Sequence, residues 1–244
     1  HTRYIGDWSS DVCSSDLPSD FNLLFSGILP ALNEKNEWGT GVIKLYTTLS
    51  NDYLYQVPSN NVIFLDNHDM TRIHSSLGES VAKTKMAYAW LMTCRGIPQM
   101  YYGSEILMKG ISNPDGWVRL DFPGGWEGDQ KNAFTETGLT ETEKDFLHYV
   151  QKLGTYRKSS SALKTGNMMQ YLPEDGLYVY FRYSKDQTIM CIMNTDTKER
   201  KINFEKFKEC TQHFNGGIDI ISGKKITKEF QIPSMTMQVI ELMK

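Results

Sequence analysis

Asp66, Asn67, His68 and Asp69 place two carboxylates, an amide and an imidazole at four consecutive positions. Such groups are costly to bury unless they are paired, solvated or hydrogen-bonded to a ligand. Asp69 offers acceptor oxygens and His68 a ring N–H, so a ligand rich in hydroxyls, such as a sugar, matches both. The residues ahead of them fix where they sit. Asn61-Val62-Ile63-Phe64-Leu65 is a short apolar, β-branched and aromatic run, the pattern of a strand buried on both faces. The polar quartet is therefore expected at the C-terminal end of a strand. A polar turn capped by Asp and Asn is the simpler alternative.

A second set of candidates follows. A short strand is expected from near Pro98 through Tyr102, and Gly103 to Asn132 is a long Gly- and Pro-containing loop. Loops of that length in compact domains usually accompany function. Asp115, Trp117 and Arg119 within it could shape a cleft. The bland counterparts are a Trp117 that anchors the loop on the rim and an Arg119 paired with Asp115 or Asp121 in a surface salt bridge of little stability value. Glu105 either reaches a ligand indirectly or holds the turn.

The elements that must position these residues can be read from periodicity. Phe21, Leu24, Phe25, Ile28, Leu29 and Leu32 recur at three- and four-residue steps behind Asp20, which predicts an N-capped helix with one apolar face. A second helix is expected from Gly41 to about Leu49, followed by the Val57-Pro58-Ser59-Asn60 turn. A third runs from Ser80 to Cys94, with Ala82, Met86, Ala89, Trp90 and Thr93 along one side. The last, from Thr140 to Lys158, turns Phe146, Tyr149, Val150 and Leu153 inward and opens with a Thr140–Glu143 capping box. Strand, helix, strand alternation is the pattern of a β/α barrel, whose active sites lie at strand C-terminal ends.

Beyond Ser159-Ser160-Ser161 the period becomes two. Met168–Leu172, Leu177–Tyr183, Thr188–Asn194, Lys201–Phe204, Ile218–Ile221 and Met235–Leu242 read as strands, with turns at Glu174-Asp175-Gly176 and Asn215-Gly216-Gly217. They predict a small antiparallel β-sandwich.

Composition excludes little else. Lys plus Arg number 26 and Asp plus Glu 29, a net charge of -3, which argues against a nucleic-acid or membrane-surface partner. No apolar run is long enough to span a bilayer. Of the four cysteines Cys13 lies in residues 1–17, and the other three, Cys94, Cys191 and Cys210, lack metal-type spacing and indicate ordinary buried or free thiols. No oxygen-ligand loop is visible, so no metal site is assigned.

Leu65-Asp66-Asn67-His68-Asp69 resembles the last conserved region of the α-amylase superfamily, glycoside hydrolase family 13, at the end of barrel strand seven. Arg95-Gly96-Ile97-Pro98-Gln99-Met100-Tyr101-Tyr102-Gly103-Ser104-Glu105-Ile106 resembles strand eight and its turn. Asp115-Gly116-Trp117-Val118-Arg119 carries an Asp and an Arg at the offset that relatives use to grip the neighbouring sugar. Asp121-Phe122-Pro123-Gly124-Gly125-Trp126 and Asn132-Ala133-Phe134-Thr135 are similar to the neopullulanase and cyclomaltodextrinase branch of Bacteroidetes type. The resemblance implies an α/β plus all-β fold: the last two strands of a (β/α)8 TIM barrel with their helices over residues 18–160, then a β-sandwich domain over 161–244. It implies Asp69 as the carboxylate that stabilises the transition state. His68, Asp115 and Arg119 become substrate-binding residues, with lesser roles for Asn67, Tyr102, Glu105 and Trp117. The partner would be an α-glucan oligosaccharide of starch, pullulan or cyclodextrin type, with no cofactor and with any calcium held by segments upstream.

Retaining glycosidases need a nucleophile and a general acid about 5 Å apart. In relatives both lie on strands four and five, and no such motif precedes Phe64. The chain is therefore expected to be the C-terminal part of a longer enzyme and inactive alone, with a transglycosylase or a non-catalytic carbohydrate-binding relative as alternatives. A partial barrel would leave strand edges unpaired, so only a module starting near residue 160 is expected to fold alone. Residues 1–17 do not resemble the family. The fixed bases of a common sequencing adapter, translated in one frame, give the run Asp7-Trp8-Ser9-Ser10-Asp11-Val12-Cys13-Ser14-Ser15-Asp16, so this leader is expected to be non-native.

Overall fold

A computed structural model of the chain describes residues 18–244. The adapter-like leader, residues 1–17, lies outside the described residues. Asp20 opens the first helix as expected, accepting the Leu23 N–H at 2.9 Å, and the same buried carboxylate takes Arg95 Nη1 at 2.9 Å. The helix begins as a π-helical segment, α1 (Leu23–Ile28), and continues as α2 (Leu29–Asn33). The Leu29 N–H reaches back five residues to the Leu24 carbonyl. This wider turn moves the apolar face: Leu23, Leu24, Ile28, Ala31 and Leu32 are buried, whereas Phe21 and Phe25, expected inward, are exposed. Helix α3 (Val42–Ser50) packs beside them.

Strand β1 (Val62–Phe64) is followed by α4 (Ile73–Ser76), α5 (Val81–Thr93) and β2 (Ile97–Gln99). The strands pair in parallel, Val62 opposite Ile97, and Ser19 bridges Val62 in parallel as well. This β-α-β crossover is a barrel segment, and the two strands form an open sheet. The second strand stops at Gln99 instead of Tyr102, since a left-handed turn at Gly103 leads into a 3-10 turn at Ser104–Ile106. Helix α5 was expected to bury one side. In fact every residue from Met86 to Thr93 is buried, because the helix is sandwiched between α6 (Glu141–Ser159) and the sheet beyond. A helix so placed is apolar all round. The capping box at Thr140 and Glu143 that opens α6 is present.

After α7 (Ser161–Thr165) come β3 (Asn167–Gln170), β4 (Leu177–Tyr183), β5 (Thr188–Asn194), β6 (Arg200–Asn203), α8 (Lys208–Thr211), β7 (Gly216–Asp219), β8 (Lys225–Thr227), β9 (Glu229–Ile232) and β10 (Thr236–Met243). An antiparallel sheet of order β3-β4-β5-β10-β7-β8 is covered on one side by the pair β6-β9. Asn215-Gly216-Gly217 is not a turn: both glycines lie in β7. A Cβ on Gly216 would sit 2.2 Å from the Ile226 carbonyl oxygen, and one on Gly217 2.5 Å from that of Glu241. Glycine here serves close strand approach. The sheet alternates as a two-sided layer should. Val179, Phe181, Met190, Ile192, Ile240 and Leu242 meet Ile202, Phe204 and Ile232 of the covering layer, while Tyr178, Tyr180, Ile189, Cys191 and Val239 join Phe64, Leu65 and Trp90 in the main core. The β module thus has one core layer of its own and shares a larger core with the barrel elements.

Where the two meet, the C-terminal end of α5 is buried. Arg157 donates to the Met92, Cys94 and Gly96 carbonyls at 2.9, 3.3 and 2.7 Å. Arg182, from β4, donates to the Thr93 carbonyl at 2.8 Å and to that of Gly166 at 3.0 Å. Thr93 and Tyr180 share a hydroxyl hydrogen bond of 2.5 Å. Among the described residues no helix is long and apolar enough to cross a membrane. Arg182→Met should cost about 2–4 kcal/mol, because it leaves buried carbonyls unpaired. Urea unfolding read by tryptophan fluorescence should show one transition displaced as a whole; an unchanged midpoint would contradict the junction.

Candidate functional site

Strand β1 ends at buried Phe64, buried Leu65 follows, and the next residue, Asp66, is only 2% exposed. Its carboxylate accepts the Ile73 N–H at 2.8 Å and the Ser104 hydroxyl at 2.7 Å. Burial pushes its pKa above the usual carboxylate range, against the opposing pull of those two bonds and the Arg72 charge. Asp66 is therefore committed to the interior, where it ties the loop after β1 to the turn after β2. Asn67 then makes an Asx turn, its side-chain oxygen accepting the Asp69 N–H at 2.9 Å. That turn throws the next two side chains outward. His68 and Asp69 are 63% and 65% exposed, with Nε2 and Oδ2 3.3 Å apart.

The long loop returns to this pair through Arg119. Its Nη2 donates to Asp69 Oδ1 and its Nε to the His68 carbonyl, both at 2.9 Å. An exposed pair of this kind contributes about 0–1 kcal/mol to stability, so its consequence is orientation. Two tyrosines hold the segment carrying Arg119: Tyr101 donates to the Val118 carbonyl at 3.2 Å and Tyr102 to that of Leu120 at 2.9 Å. Trp117 presents its ring to solvent, 59% exposed, and does not anchor the loop; its carbonyl instead packs so close to Gly110 that a Cβ there would lie 2.3 Å away. Asp115 begins the 3-10 turn Asp115–Val118, and its side chain lies outside the described residues.

The structure thus brings His68, Asp69 and Arg119 into direct contact, with Asn67 and Tyr102 supporting them and Trp117 two residues from Arg119. Glu105 falls apart from this group. It sits in the turn Ser104–Ile106 with Oε2 buried and unpartnered, and burial raises its pKa. Three supporting residues had no role in the sequence reading: Arg72, Tyr101 and Ser104. Arg72 is fully buried, a position that no local pattern around a charged residue announces. The outward-facing groups can bind hydroxyls from both directions, carboxylate accepting and imidazole and guanidinium donating.

The match described as "Alpha amylase, catalytic domain" covers residues 10–155, and that described as "Cyclo-malto-dextrinase C-terminal domain" covers 168–241. A cyclomaltodextrin glucanotransferase of Bacillus sp. (strain 38-2) is 32% identical over 128 residues, 52% of this chain and 15% of that protein. Alpha-amylase 3 of Dictyoglomus thermophilum is 32% identical over 162 residues, 59% of this chain and 32% of that protein. The crystal structure of an α-amylase from Geobacillus thermoleovorans complexed with acarbose superposes with a TM-score of 0.75 at 22% identity, covering 100% of this chain and 51% of that one. The chain therefore spans under a third of the length of these curated relatives and about half of the solved structure.

Asp66 has a direct signature in pH. Its folded pKa lies above the unfolded value, so its titration contributes stability that is fully present below the unfolded pKa and is lost as pH rises through the folded one. The stability of the wild type relative to Asp66→Asn should accordingly increase between about pH 7 and about pH 4.5. Paired urea titrations across that window would reject the assignment if the difference stayed flat or shrank.

Proposed function

This chain belongs to the α-amylase family, and on that premise we propose that it supplies the sugar-gripping side of a retaining α-glucan active site. The bond acted on would be the α-1,4-glucosidic bond of starch oligosaccharides, pullulan or cyclodextrins. The observation that carries this reading is the solvent-facing His68–Asp69 pair at a strand tip, held by Arg119. Glycoside cleavage passes through an oxocarbenium-like state, and hydrogen bonds to ring hydroxyls that strengthen there lower the barrier by several kcal/mol. In the proposed roles His68 donates to a ring hydroxyl and Asp69 accepts from one. Arg119 orients the Asp69 carboxylate and, with Asp115, borders the neighbouring sugar. The acarbose named with the similar solved α-amylase supports an oligosaccharide ligand.

The chemistry calls on carboxyl groups alone and needs no cofactor. Of the carboxylates described near the strand tip, Asp66 is buried and hydrogen-bonded to the protein, and Asp69 contacts His68 and Arg119. We assign the 244-residue polypeptide a binding role and no cleavage by itself. Residues 18–160 carry the site, and 161–244 form the module that packs behind it. A second reading, glycosyl transfer in place of hydrolysis, is favoured by the glucanotransferase relatives; both outcomes share one glycosyl-enzyme intermediate.

In a longer enzyme containing this sequence, Asp69→Asn should lower kcat by orders of magnitude with the melting temperature nearly unchanged, since the side chain is exposed. A large fall in melting temperature with activity per folded molecule intact would make Asp69 structural. Reducing-end assays on the 244-residue polypeptide should show no hydrolysis of starch or cyclodextrin. Longer oligosaccharide products from the longer enzyme would select transfer over hydrolysis.

A further inference from the structure

We infer that Arg72 is a positioning residue for the His68–Asp69 pair, acting through Tyr101, Tyr102 and the segment that carries Arg119. The inference rests on the reading of that pair as the sugar-binding group. Arg72 is fully buried, and its guanidinium lies 4.1 Å from the centroid of the Tyr101 ring and 4.8 Å from that of Tyr102. The two rings are themselves 4.6 Å apart. Nη1 donates to the Tyr102 carbonyl and, at 3.4 Å, to the Ser104 hydroxyl. The phenol groups of the same tyrosines then bind the carbonyls on either side of Arg119, those of Val118 and Leu120. From the other end, the Arg72 backbone N–H binds the Gly110 carbonyl at 2.9 Å, where the loop toward Arg119 sets out. A chain of contacts thus leads from one buried cation to the guanidinium that touches Asp69.

Stability alone is a poor reason for this arginine. Its Nε and Nη2 are buried without a hydrogen-bond partner among the described residues, and a buried charge is by itself weak evidence of a contribution to stability. What a replacement lacks is the flat guanidinium that can lie against two aromatic rings and still donate to a backbone carbonyl. Lysine supplies the charge beside Asp66 and loses that geometry. The consequence should be felt at the site and not in the core.

In a longer enzyme containing this sequence, Arg72→Lys should lower kcat by on the order of 10²-fold, the scale of a misplaced catalytic geometry. KM should change by no more than about threefold, as expected when transition-state contacts are lost without uniform binding. The Arg72→Lys, Arg119→Lys double variant should lose less than the product of the two single effects, because both act on one path. Independently of activity, hydrogen exchange on the 244-residue chain should show faster exchange over residues 116–120 in Arg72→Lys, with residues 189–193 of β5 unchanged. Wild-type kcat per folded molecule in Arg72→Lys, or unaltered exchange at 116–120, would overturn the inference. A longer enzyme with no glucan activity at all would instead remove the functional premise, while the exchange experiment would still decide whether Arg72 holds the loop.

Discussion

Burial of the C-terminal end of α5 is the constraint on which the rest of the structure depends. A helix terminus carries carbonyls without intrahelical partners and a partial negative charge, and here that end is buried between α6, the start of β2 and a β-sheet. Arg157 and Arg182 satisfy it from two directions, one from the barrel side and one from the sheet. Among the described residues neither is bonded to a carboxylate, and burial pulls Arg157 down to about 10 and lowers Arg182 as well, each also feeling nearby positive charge. Arg95, one turn of chain away, is treated in the opposite manner, gripped by Asp20 and Asp52, and its pKa rises. The β module is thus more than an appendage, because part of the cap on a barrel helix comes from β4.

That junction makes β1, α5 and β2 a stiff frame, and the candidate site is built from the loops the frame releases. Asp66 and Ser104 tie those loops together below the surface. Tyr101 and Tyr102 tie the second to a third, which brings Arg119 across to Asp69 over a sequence separation of 50 residues. Every link in this series after Asp66 is a side chain reaching a backbone carbonyl or another side chain, so the site's geometry is set by packing of tyrosines and an arginine and not by a sheet ladder.

Much of the frame was legible in the sequence because its causes are local. The apolar run ending at Asp66, the cap at Asp20, the box at Thr140 and Glu143, and the period-two patterns of β4 and β5 each depend on residues within one turn or one strand. The failures have long-range causes. A π-helical turn shifted the face of the first helix, exposing Phe21 and Phe25. Gly216 and Gly217 looked like a turn and are instead strand positions crowded by neighbouring chains. Strands β8 and β9, largely polar and exposed, have little apolar pattern to show. At the site, the exposed His68 and Asp69 were readable as a polar cluster at a strand end, whereas the role of Arg72 depends on two tyrosines some thirty residues on, which no periodicity encodes.

The contrast between Asp66 and Asp69 explains how one short strand tip can be both rigid and receptive. Asp66 is desolvated in the folded chain, where its Oδ2 accepts both a backbone N–H and a hydroxyl and the Arg72 charge lies nearby. Asp69 is hydrated and costs little in that state; its bond to Arg119 is weak because water screens it. A sugar ring laid over the pair would exclude that water. The same two charges at the same separation would then attract more strongly as the effective dielectric falls, so the orientation imposed by Arg119 would tighten under the proposed ligand. Groups arranged in advance of the charge they will meet avoid reorganisation at the moment of reaction. An exposed triad resting on a buried, hydrogen-bonded carboxylate is an arrangement that would gain strength from being covered, as the proposed binding role requires.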